Sequence, residues 1–109
     1  MDAREASRLV LDWHGRQLTL SESDRLALGS TDTADLTVAG QSTSRNHAHI
    51  EHRKQYFVLV DHSTNGTYVQ TEDEKITFLR RGEFRLWGDG WIALGEPLSA
   101  DTAIRFRHI

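Results

Sequence analysis

The sequence predicts an all-β domain, a sandwich or a barrel of about eleven short strands. Three observations lead there. Apolar and polar residues alternate over short runs that recur roughly every eight to twelve residues. Gly, Asp, Asn and Ser gather at the junctions between those runs. No segment sustains a helical period of apolar residues, and the single proline, Pro97, falls in a loop.

The elements follow in order. Residues 1–7 are polar and read as a flexible leader; residues 8–109 read as one domain. RLVLDW (8–13) and RQLTL (16–20) flank His14-Gly15, a hairpin turn. RLALG (25–29) and the short DLTV (35–38) come next. AHIEH (48–52) alternates with Ala48 and Ile50 on one face, so His47 and His49 are expected to face the other way. QYFVLVD (55–61) is the most apolar run and suits a central strand buried on both faces. TYVQ (67–70) follows an Asn-Gly turn, and KITF (75–78), EFRLW (83–87), WIALG (91–95) and AIRFRHI (103–109) complete the set.

Composition bounds the function. A chain of 109 residues is about one domain and buries roughly two-thirds of its unfolded surface, enough for a core without staples. Its lack of cysteine excludes disulfides and thiolate-bound zinc and fits a reducing compartment. A formal net charge of -3 argues against nucleic acid and anionic membranes as partners. No apolar run approaches the ~20 residues of a membrane span, and the charged start MDAREASR lacks the apolar centre of a signal peptide. The expected setting is cytoplasmic, as a module of a larger regulatory protein. No cofactor is implied.

Two polar loops stand out: STSRNHAHI (42–50) and DHSTNGTYV (61–69). Ser44 offers a hydroxyl donor, and Arg45 offers the planar fork best matched to phosphate. The neighbourhood in sequence is basic, with Arg45, Arg53, Lys54 and three histidines against Glu51. Asn65-Gly66 signals a tight turn, and Ser63, Thr64 and Thr67 place hydroxyls beside it. Taken singly, each loop is ordinary turn chemistry. Together they read as two lips of one site.

The order LALG, SRNHA, DHSTNGTYV and LRRGEFRLWGDGWIALG resembles the forkhead-associated (FHA) domain over about residues 25 to 96. That resemblance implies an eleven-stranded, mainly antiparallel β-sandwich that recognises phosphothreonine in an extended peptide through loops at one end. It implies that Ser44 binds phosphate as the serine of an S-x-x-H motif, with Arg45 beside it. Thr64 would help hold the phosphothreonine and Asn65 the peptide main chain. Gly29, His47, Gly66 and Thr67 would be structural. In the family the first loop usually reads Gly-Arg; here it is Gly29-Ser30. Losing a charge-assisted bond of roughly 1.5–3 kcal/mol weakens binding about ten- to a hundredfold. Ser30 therefore supports an alternative, a degenerate module that docks proteins without phosphate. The tail EFRLWGDGWIALGEPL (83–98) also resembles FHA domains attached to bacterial class III nucleotide cyclases.

Other chemistries find less support. A Ser44–His47–Asp61 triad has no G-x-S-x-G elbow and no strand–turn–helix to expose the serine, so enzyme activity is not expected. A zinc site on His47 and His49 lacks further ligands, because His52 lies on the opposite face and His62 joins only if loops converge. Arg80, Arg81 and Arg85 cluster, but Glu83 interrupts them and the net charge is wrong for nucleic acid. Trp13, Trp87 and Trp91 read as packing residues, and TEDEKI (71–76) as a solvated acidic hairpin tip.

Overall fold

The computed structural model describes residues 8–109; the leader expected over residues 1–7 lies outside the described residues. Eleven strands follow the predicted order: β1 Leu9–Trp13, β2 Arg16–Leu20, β3 Arg25–Gly29, β4 Leu36–Thr37, β5 Ala48–Arg53, β6 Tyr56–Asp61, β7 Thr67–Thr71, β8 Ile76–Leu79, β9 Glu83–Leu86, β10 Gly90–Leu94 and β11 Ile104–His108. They form a six-stranded sheet, β2-β1-β11-β10-β7-β8, and a five-stranded sheet, β4-β3-β5-β6-β9. All pairs are antiparallel except β3–β4, which is parallel. No helix among the described residues is long and apolar enough to cross a membrane.

Alternation decides which face each strand buries. Leu9 and Leu11 from β1, Ile92 and Leu94 from β10, and Ile104 and Phe106 from β11 project from one sheet. Leu26 and Leu28, Ile50, Phe57 and Leu59, and Leu86 project from the other. These residues interleave as one core between the layers, the arrangement expected of an aligned sandwich. β6 is buried on both faces only over Phe57–Leu59, while Tyr56 is 42% exposed. Val58, on the outer face, lies between its cross-strand neighbours Glu51 and Arg85. Of the expected fourth strand only Leu36 and Thr37 pair, because β4 is an edge strand whose one neighbour is β3.

Register fixes which loops share a rim. Leu28 lies opposite Ala48, and Ala48 opposite Asp61, in the five-stranded sheet. Leu94 lies opposite Thr67, and Thr67 opposite Leu79, in the six-stranded sheet. The loops after β3, β4, β6, β8 and β10 therefore gather at one end. The acidic tip Glu72–Lys75 closes the β7–β8 hairpin at the opposite end, five residues along β7 from that rim. Arg53 and Lys54, neighbours of the polar loop in sequence, are likewise carried to the far end of β5, and Arg53 is held by Glu51 and Glu83. They do not belong to the basic surroundings that the sequence suggested.

Trp13 packs against the core, whereas Trp87 and Trp91 are 40% and 37% exposed. The Arg105 guanidinium lies 5.0 Å above the Trp91 ring.

Leu59 is fully buried at the middle of β6. Truncation there removes contacts to both layers, so Leu59→Ala should lower the unfolding free energy by about 2–5 kcal/mol in urea denaturation. A change under about 0.5 kcal/mol would mean that the interior is not packed as described.

Candidate functional site

Three segments meet at the shared rim, and backbone bonds set their spacing. The Ser30 N–H donates to the Ser44 carbonyl at 3.0 Å, and the His47 N–H donates to the Leu28 carbonyl at 2.9 Å. The His62 N–H donates to the His47 carbonyl at 2.9 Å. So the loop 38–47 is clasped between the end of β3 and the end of β6. The fit at β3 is close: a Cβ on Gly29 would stand 1.8 Å from the Arg45 carbonyl oxygen. Only a residue without a side chain lets the two segments approach this way.

His47 locks the arrangement. Its Nδ1 accepts from the Ser44 backbone N–H at 3.0 Å, and its Nε2 donates to the Gly66 carbonyl at 2.8 Å. Those partners require a neutral ring with the proton on Nε2. The expectation that His47 faces away from the core is corrected: it is 0% exposed. The reason is that β5 starts only at Ala48, so His47 belongs to the loop and turns beneath it. Burial pushes its pKa below the ordinary value, more than the Gly66 bond and the Asp61 charge raise it. His49 does lie off the core face. There it packs against His62, with Nδ1 and Nε2 2.7 Å apart, and against Glu51. Among the described residues no group of three His, Cys, Asp or Glu side chains could hold a metal ion.

Asp61 supports the second lip from below. Its buried carboxylate accepts from the Ser63 N–H at 3.1 Å, the Ser63 hydroxyl at 2.9 Å, Thr67 Oγ1 at 2.6 Å and the Arg81 N–H at 2.8 Å. Burial alone would raise the Asp61 pKa, but these donors outweigh it and hold the carboxyl below the usual range. The Ser63 hydroxyl in turn accepts from the Gly66 N–H at 2.7 Å, closing the Asn-Gly turn. Gly66 has φ +88°, and a Cβ there would collide with the Phe78 ring at 2.3 Å. Arg81 adds a donor bond from Nε to the Ser63 carbonyl at 3.2 Å. Ser63, Asp61 and Arg81 thus form the support of this lip, a role different from those the sequence suggested: a hydroxyl beside the turn for Ser63, a triad member for Asp61 and part of a basic cluster for Arg81.

Above this support the polar groups are left open. Ser44 is half-buried, and Arg45, Thr64 and Asn65 are exposed. Ser44 Oγ accepts from the Thr64 N–H at 3.3 Å, which leaves its own proton free to donate. Asn65 Nδ2 donates to the Ser42 carbonyl at 3.1 Å, leaving Oδ1 and a second N–H available. The Arg45 guanidinium forms no ion pair with the described residues. Ser30 is half-buried at the same rim, its N–H already used on Ser44. Ser44, His47 and Asp61 also come together, yet not as a hydrolytic triad. The Nδ1 lone pair of His47 is occupied by a backbone N–H and cannot take a hydroxyl proton.

Residues 15–82 match the family profile of the FHA domain. No curated relative matches the chain by sequence. The first FHA domain of Rv1747 from Mycobacterium tuberculosis superposes with a TM-score of 0.76 at 21% identity, covering 94% of this chain and 97% of that one. The FhaA FHA domain, solved in complex with the intracellular domain of Rv3910, superposes at 0.68 with 28% identity, covering 94% and 100%. An FHA domain studied for phosphothreonine-dependent interactions gives 0.68 at 26% identity, covering 92% and 95%.

Two outcomes follow from the geometry. Gly29→Ala should force the 44–47 loop off β3 and lower stability by about 1–3 kcal/mol, with the largest amide shifts at Ser44–His47. Unshifted resonances there would refute the close approach. Because the folded pKa of His47 lies below its unfolded one, the ring stabilises the fold fully above about pH 6.5. That share is lost as pH falls through the lowered folded value. Denaturation across this range should show wild type losing stability on acidification more than His47→Asn does. Parallel profiles would contradict the buried neutral ring.

Proposed function

Since the chain belongs to the FHA family, we propose that it is a receptor for phosphothreonine-containing segments of a partner protein. The family is one of recognition modules rather than enzymes. The observation that carries the proposal is the Ser44–Thr64 contact. Two residues twenty positions apart meet at 3.3 Å with a free hydroxyl proton, beside an arginine whose charge is not neutralised by any described residue.

In this reading the Ser44 hydroxyl and the Arg45 fork donate to phosphate oxygens. Thr64 adds a hydroxyl at the phosphothreonine, and Asn65 turns its free amide edge to the peptide main chain. Ser30 lines the pocket without supplying charge. Gly29, His47, Gly66 and Thr67 hold the loops and need not touch the ligand. The rim is built before the ligand arrives, so little ordering opposes binding. The phosphate dianion is the preferred form, and affinity rises as its second proton leaves near pH 6.

A second reading rests on Ser30: a docking module indifferent to phosphate. Calorimetric titration with matched phosphothreonine, phosphoserine and plain threonine peptides separates the two. Phosphothreonine should bind tightest, and Ser44→Ala or Arg45→Ala should each weaken it about ten- to a hundredfold. Equal affinity for all three peptides, unchanged in Arg45→Ala, would leave the docking module as the correct account.

A further inference from the structure

The open edge of the six-stranded sheet carries an apolar strand that the rim does not use. Four edge strands exist among the described residues. β4 pairs over only two residues, β2 carries Arg16, and β9 carries Glu83 and Arg85. Short length and charge are the usual guards of an unpaired edge. β8 reads ITFL and has no charge within it. Its Ile76 and Phe78 are 55% and 49% exposed, and the Phe78 ring leans on Tyr68 with centroids 4.9 Å apart.

The ladder shows which backbone groups of β8 are free. The Thr71 N–H donates to the Lys75 carbonyl at 3.1 Å, so this opposed pair is a bonded one. Bonded and non-bonded pairs alternate along an antiparallel ladder, so Thr77 and Leu79 also turn their backbone groups to β7. Ile76 and Phe78 turn theirs to the open side. A further antiparallel strand must therefore bond to Ile76 and Phe78, the two residues whose side chains are also exposed.

The flanks of β8 are opposite in charge. Glu72, Asp73 and Glu74 lie before it, and Arg80 and Arg81 lie after it. The Asp73 carboxylate is taken up by the Thr71 hydroxyl and the Lys75 N–H, and that of Glu72 by the Asp89 N–H. Glu74 and Arg80 are exposed and form no ion pair with the described residues. A segment that runs acidic, apolar, basic is complementary to its own reverse.

We propose that β8 is the contact between two copies of this chain, paired antiparallel about a two-fold axis at Thr77. Ile76 of each copy then stands opposite Phe78 of the other, and each such pair exchanges both of its backbone bonds. Glu74 of each copy falls beside Arg80 of the other. A shift of two residues either way sets Glu74 against Phe78 or Ile76 against Arg80, and parallel pairing sets like charges together, so this register is the favoured one. The two six-stranded sheets become one continuous sheet. Antiparallel strands send the two rims to opposite ends, so both stay open, and the pairing needs no phosphorylated ligand.

Sedimentation equilibrium tests this from about 10 µM to about 1 mM protein, a range suited to an interface below about 1,200 Å². Wild type should pass reversibly from monomer to dimer. Ile76→Lys, Glu74→Arg and Arg80→Glu alter exposed side chains, and each should weaken the dimer about five- to thirtyfold. Mixing Glu74→Arg with Arg80→Glu should restore it, because both ends of the mixed dimer then join opposite charges. The Glu74→Arg/Arg80→Glu double variant should restore it for the same reason. Circular dichroism and urea midpoints at low concentration, unchanged in every variant, separate lost pairing from lost folding. A wild type that stays monomeric throughout overturns the inference. A dimer unaffected by the single variants, or one that the charge swap fails to restore, overturns it as well.

Discussion

The neutral ring of His47 ties the rim together. One nitrogen accepts the Ser44 N–H and the other donates to the Gly66 carbonyl, so a single buried side chain spans both polar loops. Neither loop could hold its position on backbone bonds alone, since each would leave an orphaned polar group out of water. Gly29 makes the same point from the other side. The Arg45 carbonyl sits where any Cβ would be, so the first loop is pressed onto β3 rather than hung over it. Three segments distant in sequence thereby behave as one surface.

Beneath that surface the labour is divided by depth. Asp61, Ser63, Thr67 and His47 are buried and spend their bonding capacity on one another and on loop backbone. Arg45, Thr64 and Asn65 stand outside and keep theirs. The sandwich makes this division stable. β6 and β7 end on the two different sheets, so the Asn65-Gly66 turn bridges the layers at the point where their register brings them together. A ligand meeting this rim finds donors already aimed, which lowers the entropic cost of capture.

Much of the fold was legible because strand alternation is a local property. Runs such as TYVQ and AIRFRHI show which residues face inward without reference to any partner. What stayed hidden depends on where the chain goes next. Arg53 and Lys54 look basic beside Ser44 in sequence, yet a six-residue strand takes them to the other end of the molecule. Arg81 looks remote, yet a crossing between sheets returns it to Ser63. His47 was assigned a face by counting in twos from Ala48, and the count fails because the strand had not yet begun. The polar cluster itself could be read as two lips of one site, but its buried Asp61 support could not. A carboxylate at a strand end signals nothing until four donors are seen around it.

The central claim is that His47 is neutral, protonated on Nε2 and bonded at both nitrogens. Nitrogen-15 NMR of the histidine side chains as a function of pH tests it directly. A neutral, doubly bonded ring gives an Nδ1 resonance of the unprotonated acceptor type and an Nε2 resonance of the protonated type, both unchanged over the range in which free imidazoles in water titrate, about pH 6.5. A ring that titrates with them, or carries its proton on Nδ1, would contradict it.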